Sequence, residues 1–376
     1  MIRFNRPYMT GHELSFIEQA HQNGHLSGDG PFTRQCHDWL RNQTNAHTAL
    51  LTHSCTAALE MSALLLHLQP GDEVILPSYT FVSTASAFAL RGAVPVFVDV
   101  RADTLNIDES LIEDAITPRT RAICVVHYAG VACEMDTIME IARRHGLRVV
   151  EDAAQGIMST YRGRPLGTIG DLGAFSFHET KNIISGEGGA LLCRDVEFAE
   201  EAEVIREKGT NRSRFFRGQV DKYTWVDVGS SYLPGEITAA FLAAQIEKAT
   251  EITSRRLDIW NQYHAWADAH EQAGHLRRPI VPEACEHNAH MYYMLMPSLG
   301  HRTRFIEKLR DNGIQSVFHY IPLHSSPAGA KCGRTHGSMA VTDDVSDRLV
   351  RMPLWLGVEA HLEQIFDTAD SVLGNS

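Results

Sequence analysis

Short apolar segments alternate with helical segments over roughly the first half of the chain, and this alternation constrains the fold more than any other feature. The apolar segments are β-branched and show no polar alternation; they are Glu73–Leu76, Val94–Val98, Ala122–Val126 and Leu147–Val150. Strands that are apolar on both sides need cover on both faces, and intervening helices favour parallel pairing. The pattern predicts an α/β fold with a mostly parallel sheet.

The remaining segments complete this prediction. Helices are expected from Thr10 to Gln22, after Pro31, and at Ala57–Leu68, Phe81–Leu90, Asp108–Ile116, Asp136–His145 and Glu236–Lys248. Ala174–Phe177 and Gly189–Leu192 read as strands joined by a loop, which makes the sheet mixed. Beyond a long helical region with a break near Gly274, a smaller α/β unit is predicted, with a strand at Met291–Met296 and helices at Arg302–Asn312 and Asp343–Arg351.

The length of 376 residues suits about two domains. We predict a large domain over residues 1–250 and a small C-terminal α/β domain over residues 251–376. The prediction leaves open that the extreme N-terminus packs on the small domain.

Composition excludes several classes of protein. The formal net charge of −12 disfavours nucleic-acid binding, although local cations or helix N-termini still permit an anionic substrate. The seven cysteines form no C-x-x-C pair and the 20 histidines no H-E-x-x-H motif, so we expect neither a disulfide framework nor a bound metal. No apolar run has the length of a membrane span or of a signal-peptide core. We therefore expect a cytoplasmic protein without a membrane partner.

Three segments deliver polar or reactive side chains where predicted strands end, which is where open α/β sheets bind ligands. They are Thr52–Leu59, Glu151–Gln155 and Phe175–Asn182. In each segment, the residue that could bind a ligand could instead have a purely structural role. Asp152 could be a helix N-cap, Ser54 or Thr56 could cap the following helix, and Lys181 could be a solvated turn residue.

Together these segments meet the needs of one cofactor. Lys181 lies between apolar segments and beside the glycine-rich Gly186–Gly189, and a desolvated lysine has a lowered pKa and can form Schiff bases. Hydroxyl residues before an apolar helix make a phosphate cup. Pyridoxal phosphate requires a lysine, an acid against its pyridine nitrogen and a phosphate cup. Phe81 is placed to stack on its ring.

The ordered motifs are similar to those of a known family. They are Ser54–Leu59, Pro77–Phe81, Glu151–Gln155, Phe175–Phe177 with Lys181–Asn182, and Gly186–Gly189. Over almost its whole length the sequence resembles the DegT/DnrJ/EryC1 sugar-nucleotide aminotransferases. The resemblance implies a pyridoxal-phosphate-dependent transferase of fold type I. It further implies transfer of the amino group of L-glutamate to the C4 keto group of dTDP-4-keto-6-deoxyglucose, giving dTDP-4-amino-4,6-dideoxygalactose for enterobacterial common antigen and lipopolysaccharide biosynthesis.

The resemblance also assigns residue roles. Lys181 would bind the cofactor covalently and then transfer protons, Asp152 would pair with the pyridine nitrogen, and Gln155 would hydrogen-bond the phenolic oxygen. Phe81 would stack on the ring. The phosphate cup would be lined by Cys55, Thr56 and Ser176. The family forms homodimers with shared active sites, in which a partner asparagine touches the phosphate; Asn211 is the candidate.

Two segments depart from the family pattern where the sugar nucleotide should lie. Ser231–Leu233 replaces a frequent Asn-Tyr-Arg, and His319–His324 replaces Tyr-Pro-x-Pro-x-His. We take His319, Tyr320 and His324 as candidate substrate-binding residues, although both histidines could be bystanders in a loop. The departures leave sugar identity open, so 3-keto or UDP- and GDP-linked acceptors remain alternatives.

Other functions are less compatible with the sequence. Sugar 3-dehydratases have a histidine at the lysine position, and Lys181 argues against them. A non-catalytic binding protein would not need the full set of lysine, acid and phosphate cup. A nicotinamide dehydrogenase is disfavoured because Gly167, Gly170 and Gly173 lack G-x-G-x-x-G spacing.

Overall fold

A computed structural model describes residues 1–374 and contains thirteen strands. They are β1 Thr48–Thr52, β2 Glu73–Pro77, β3 Val94–Val98, β4 Thr120–Val126, β5 Arg148–Asp152, β6 Thr160–Tyr161, β7 Arg164–Pro165, β8 Leu172–Ser176, β9 Gly189–Cys193, β10 Cys285–Glu286, β11 Tyr292–Leu295, β12 Arg334–Thr335 and β13 Leu349–Met352.

Eight of these strands form the main sheet, in the order β1-β9-β8-β5-β4-β2-β3-β12. Strand β9 runs antiparallel to both of its neighbours, β1 and β8, and the other pairings are parallel. The α/β fold with a mixed, mostly parallel sheet is therefore confirmed. Parallel pairing brings the carboxyl ends of β2, β5 and β8 to one edge.

In the described part of the chain, fourteen α-helices accompany the strands. They are α1 Glu13–Gln22, α2 Pro31–Thr44, α3 Cys55–Leu65, α4 Val82–Ala89, α5 Ile112–Ala115, α6 Met135–His145, α7 Ala199–Arg206, α8 Arg212–Phe216, α9 Glu236–Ile246, α10 Ala249–Gln272, α11 Leu299–Asp311, α12 Pro327–Cys332, α13 Ala340–Arg348 and α14 Leu362–Leu373. Among the described residues, no helix is both long enough and apolar enough to span a bilayer.

Both faces of the main sheet are buried, as continuous apolarity along the strands requires. In β2, Leu76 joins the core formed with α3 and α4, while its neighbour Ile75 joins the core formed with α6. The strand is apolar at successive positions because successive side chains point to opposite faces of the sheet and both faces are covered.

The C-terminal region builds a second core from the antiparallel pair β11 and β13, with α10, α11 and α14 around it. Ile2 lies in this core, and its backbone N–H donates to the carbonyl of Gly313 at 2.7 Å. The division at residue 250 stays a prediction. Strand β12, from beyond that boundary, pairs with β3 of the main sheet.

Several predicted elements need correction. The helix expected at Asp343–Arg351 ends at Arg348, and Leu349–Met352 is strand β13. Leu349 and Val350 are fully buried and pair with β11, so tertiary pairing overrides the helical pattern. The helix expected at Asp108–Ile116 is a 3-10 turn over Glu109–Leu111 followed by the short α5. Strand β1 and helix α14 were not predicted.

Candidate active site

A cavity of ≈ 500 Å³ lies at the carboxyl ends of the main-sheet strands. Most of the residues singled out from the sequence line it: Cys55, Thr56, Phe81, Asp152, Gln155, Ser176, Lys181, His319 and Tyr320. They arrive on several separate segments of the chain, so the sheet brings together residues that are far apart in the sequence. The position agrees with the rule that open α/β sheets bind ligands at this edge.

The N-terminus of α3 forms one wall of the cavity. Ser54 is the N-cap, and its Oγ accepts a hydrogen bond from the N–H of Ala57 at 3.1 Å. The N–H groups of Cys55 and Thr56 precede the first intrahelical bond, so they are free to bind an anion. The Thr56 hydroxyl lies 2.7 Å from that of Ser83 in α4. These are the groups expected to hold a phosphate, and their place at a helix N-terminus suits an anion.

Gly189 allows β9 to approach this cup closely. A Cβ atom at Gly189 would lie 2.4 Å from the backbone nitrogen of Cys55, well inside van der Waals contact. Any larger residue would push the strand and the helix start apart. The glycine-rich segment seen in the sequence therefore serves close backbone packing at the cup.

Asp152, at the end of β5, is fixed by two hydrogen bonds. Oδ2 accepts from the Thr84 hydroxyl at 2.6 Å, and Oδ1 accepts from the N–H of Ala154 at 3.1 Å. The side chain is buried but lines the cavity. The carboxylate is thus presented to a ligand in one fixed orientation.

Gln155 and an aromatic pair also line the cavity. Oε1 of Gln155 accepts from the N–H of Ala129 at 2.7 Å, and Nε2 donates to the Tyr320 hydroxyl at 3.1 Å. The Tyr320 ring stacks on His319 with centroids 3.8 Å apart. Burial raises the pKa of Tyr320 to about 12, so its hydroxyl remains protonated.

A fully buried pair supports the loop that carries Asp152 and Gln155. Nδ1 of His127 accepts from the N–H of Cys133 at 3.2 Å, which assigns the ring proton to Nε2. Nε2 then donates to Glu151 at 2.8 Å. Glu151 also accepts from the N–H groups of Gly167 and Gly170, so it fixes the loop after β5.

Lys181 lies in the loop between β8 and β9 and contributes to the cavity lining. Within residues 1–374, no hydrogen-bond or ion-pair partner of Nζ is found. Burial lowers the pKa of Lys181, against the opposing effects of Cys55 and Asp152. A less protonated, unpaired amine is suited to attack an aldehyde.

These side chains fit pyridoxal phosphate. The unpartnered Lys181 amine can bind an aldehyde, the fixed Asp152 carboxylate can hold a protonated ring nitrogen, and the α3 cup can hold a phosphate. Phe81 lines the cavity and its side chain is 58% exposed, so its ring is accessible to the flat ring of a ligand. In the described part of the chain, no His, Cys, Asp or Glu cluster could hold a metal ion.

Two candidates lie outside the cavity lining. His324 uses Nδ1 to accept from the Ser78 hydroxyl at 2.8 Å, and its Nε2 lies 3.4 Å from Asp343. Asn211 is bonded to the backbone of Lys222 and Thr224. The substrate role of His324 and the role of Asn211 in a partner subunit stay predictions.

Basic residues of the lining were missed from the sequence, among them Arg351 and His290. Arg351 lies on β13, within the segment expected to be helical, and His290 precedes β11. Nδ1 of His290 is hydrogen-bonded to Asn182, the neighbour of Lys181. The signal for Arg351 was a single charge inside the apolar run Leu349–Leu354.

Comparisons with known proteins agree with this site. Residues 7–369 match the DegT/DnrJ/EryC1/StrS aminotransferase family. The chain is 32% identical over 376 residues to GDP-perosamine synthase of Caulobacter vibrioides, covering 98% of this chain and 97% of that protein. It is 34% identical over 334 residues to the spore coat polysaccharide biosynthesis protein SpsC of Bacillus subtilis, covering 86% and 84%.

Solved structures give the same result. Spr1654 of Streptococcus pneumoniae, described as a sugar aminotransferase, superposes in its PMP form with a TM-score of 0.92 at 26% identity over 100% of both chains. Its PLP form gives a TM-score of 0.91 at 27% identity, over 100% of this chain and 99% of that one. The chain belongs to the DegT/DnrJ/EryC1/StrS aminotransferase family and is a pyridoxal-phosphate-dependent sugar aminotransferase.

Proposed function

We propose that this aminotransferase moves the amino group of L-glutamate to the C4 keto group of dTDP-4-keto-6-deoxyglucose, giving dTDP-4-amino-4,6-dideoxygalactose. The observation that carries the transamination part is the unpartnered, half-buried Lys181 amine in the same cavity as the fixed Asp152 carboxylate. The choice of sugar rests on the sequence resemblance, which also suggests a role in the synthesis of enterobacterial common antigen.

Each side chain has a defined task in this proposal. Bound pyridoxal phosphate supplies an electron-withdrawing ring that stabilises negative charge on the reacting carbon. Asp152 holds a proton on the pyridine nitrogen. Lys181 Nζ accepts the α-proton of L-glutamate and, in the second half-reaction, returns a proton to the sugar carbon that receives the amine. The α3 N-terminus binds the phosphate, Gln155 orients the ring, and Phe81 stacks on it.

We also propose a homodimer in which Asn211 of one protomer reaches the cofactor phosphate of the other. Support comes from exposed apolar side chains between α8 and α9, including Trp225 at 75% exposure and Val228 at 60%. Large apolar patches of this kind mark interfaces. Asn211 is already held by this segment, through Lys222 and Thr224.

A GDP-linked keto sugar is the second candidate acceptor. The relative with 97% of its length covered is a GDP-perosamine synthase, and its similarity runs through the whole chain. The departures at Ser231–Leu233 and His319–His324 leave the choice between nucleotides to experiment.

An acceptor panel tests the assignment. With L-glutamate as donor, 4-keto and 3-keto sugars linked to dTDP, UDP and GDP should be compared by kcat/KM. The proposal expects the dTDP-linked 4-keto-6-deoxyglucose to react best. Exclusive reaction of 3-keto sugars would refute the C4 assignment, and preference for a GDP-linked acceptor would favour the second candidate.

A further inference from the structure

Asn288 is a fully buried side chain that joins the segment before β11 to the loop after β5. Its Nδ2 donates to the carbonyls of Gln155 at 2.8 Å and Ile157 at 2.7 Å, and its Oδ1 accepts from the N–H of His290 at 3.0 Å. Two carbonyls on one side and an N–H on the other fix the orientation of this amide. Asn288 therefore holds the backbone that carries Gln155 in one place.

Gly130 shows how closely these two segments pack. Its φ is +79°, and a Cβ atom there would lie 2.2 Å from Oδ1 of Asn288 and 3.0 Å from the carbonyl oxygen of Gln155. Glycine suits both the left-handed backbone and the lack of space. The contact between Asn288 and the loop of Gln155 is thus part of the close packing of three separate segments.

The segment before β11 also holds the loop of Lys181. Asn182, the next residue, is buried, and its Nδ2 donates to the carbonyl of Asn288 at 2.8 Å. Its Oδ1 is then the atom that lies 3.1 Å from Nδ1 of His290, which assigns the ring proton to Nδ1. Burial, with the charge of Lys181 as a second cause, holds the pKa of His290 well below its ordinary value, so the ring takes no second proton.

The segment Asn288–His290, which we call the bridge, is the polar connection between two loops of the site. Among the described residues, no hydrogen bond runs directly from residues 154–158 to residues 178–186. The first of these loops carries Gln155 and the second carries Lys181. Both are hydrogen-bonded to the bridge, which comes from a distant part of the chain, 106 residues beyond Asn182.

The two linked residues have tasks at adjacent positions of one ring. Pyridoxal phosphate carries its aldehyde and its phenolic oxygen on neighbouring carbons. In the proposed function, the Lys181 amine bonds to the aldehyde carbon with release of one water, and Gln155 binds the phenolic oxygen. A misplacement of about 1 Å costs up to about a hundredfold in reactivity, so the separation of these side chains matters.

We propose that the bridge is a positioning element that fixes Lys181 relative to Gln155, so that both side chains meet one cofactor ring. This inference rests on the tasks that the proposed function gives to Lys181 and Gln155. It gives a task to Asn182 and Asn288, two buried residues that do not themselves line the described cavity.

Two forms of the cofactor separate this task from a general loss of structure. Pyridoxal phosphate bonds to Lys181, whereas pyridoxamine phosphate has an amine in place of the aldehyde and cannot. Both should be titrated into the cofactor-free full-length protein and into its K181A, N182A and N288A variants. N182A should weaken binding of pyridoxal phosphate about tenfold to a hundredfold and that of pyridoxamine phosphate by no more than about threefold. N288A frees both loops, so it should weaken binding of both forms, and of pyridoxal phosphate more.

The double variant N182A/N288A tests the link between the two loops. If both asparagines act through one bridge, their effects on the dissociation constant of pyridoxal phosphate do not add in free energy. The double variant should therefore bind pyridoxal phosphate within about threefold of the weaker-binding single variant. Fully additive effects would overturn the inference.

Q245A is the matched control. Gln245 is a fully buried amide whose Nε2 donates to the carbonyl of Tyr8 and to Glu13, away from the cavity. Its loss should lower stability but leave the affinity for both cofactor forms unchanged.

The outcomes distinguish the inference from the proposed function. Unchanged affinity of N182A for pyridoxal phosphate, or an equal loss for both cofactor forms, would overturn the inference alone. If K181A bound pyridoxal phosphate as tightly as the wild type, the proposed function would fail as well. Thermal unfolding shows whether each variant is folded. If N288A does not fold, the comparison of N182A with K181A decides.

Discussion

At the scale of single residues, the proposed chemistry depends on the amine of Lys181. We predict that K181A lowers turnover by at least a thousandfold, because no other described amine in the lining can replace it as nucleophile and base. After borohydride reduction, mass spectrometry should find the cofactor on the wild-type peptide that contains residue 181 and not on the variant. K331A, at an exposed site in α12, should behave as wild type.

The carboxylate of Asp152 permits a second test. An ion pair at ~4 Å with an effective dielectric constant of ~20 is worth up to ~4 kcal/mol, about a thousandfold in rate. D152N keeps the shape and the acceptor for Ala154, so we expect a folded protein with turnover reduced by about a hundredfold to a thousandfold. Near-normal turnover would refute the pairing of Asp152 with the ring nitrogen.

Sequence reasoning found the cavity residues that follow main-sheet strands, because such strand ends share one edge of the sheet. Asp152, Ser176 and Lys181 are of this kind. Arg351 could not be found in the same way. Its place depends on β13 pairing with β11, and that pairing depends on contacts between distant parts of the chain.

At the scale of elements, the approach of β9 to the start of α3 shapes the proposed phosphate cup. We predict that G189A lowers the free energy of unfolding by about 1–3 kcal/mol and weakens cofactor binding, since its Cβ would overlap the backbone of Cys55. Urea denaturation and cofactor titration measure the two effects. G300A in α11, where the nearest atom is 3.7 Å away, should be neutral or more stable by up to about 1 kcal/mol.

The central elements could be predicted because each strand is a continuous apolar run, as at Val94–Val98, which the structure reproduces residue for residue. Elements without such an apolar run could not be predicted from the sequence. Strand β1, Thr48–Thr52, has no strong apolar run before a turn, and it exists because β9 pairs with it over its whole length. Tertiary pairing decides such segments.

At the scale of the whole molecule, Glu73 links the C-terminal region to the main sheet. Its buried carboxylate binds Arg119 and Arg334, and the hydrogen bond from Arg334 is the largest cause that lowers the pKa of Glu73 to about 2. A lowered pKa means that the carboxylate stabilises the fold above pH ~4.5 and that this stabilisation is lost as the pH falls toward ~2.

We therefore predict that E73Q is less stable than wild type at pH 7 and that the difference narrows below pH ~4.5. Urea denaturation at pH 7 and at pH 3.5 measures this change. A difference that stays constant over this range would contradict the assigned pKa.

The proposed dimer gives a prediction for the assembly. W225S should raise the dimer dissociation constant about tenfold or more, because large aromatic side chains often dominate interfaces. Sedimentation equilibrium measures the constant. V196S, at a side chain that is 68% exposed near α7, is the control. Unchanged association of W225S would show that subunits meet elsewhere.

The outer edge of the main sheet has a consequence for how the protein is made. Strand β3 is covered by β12, whose Arg334 and Thr335 pair with Val96 and Phe97. During synthesis, β3 leaves the ribosome long before β12 does, and its apolar edge stays open over that interval. An open apolar strand edge can template aggregation. Pro95 weakens pairing at the edge of β3 because it lacks an N–H group, but the rest of that edge stays open until β12 is made. Chains that end before residue 334 should therefore be the aggregation-prone products of interrupted translation.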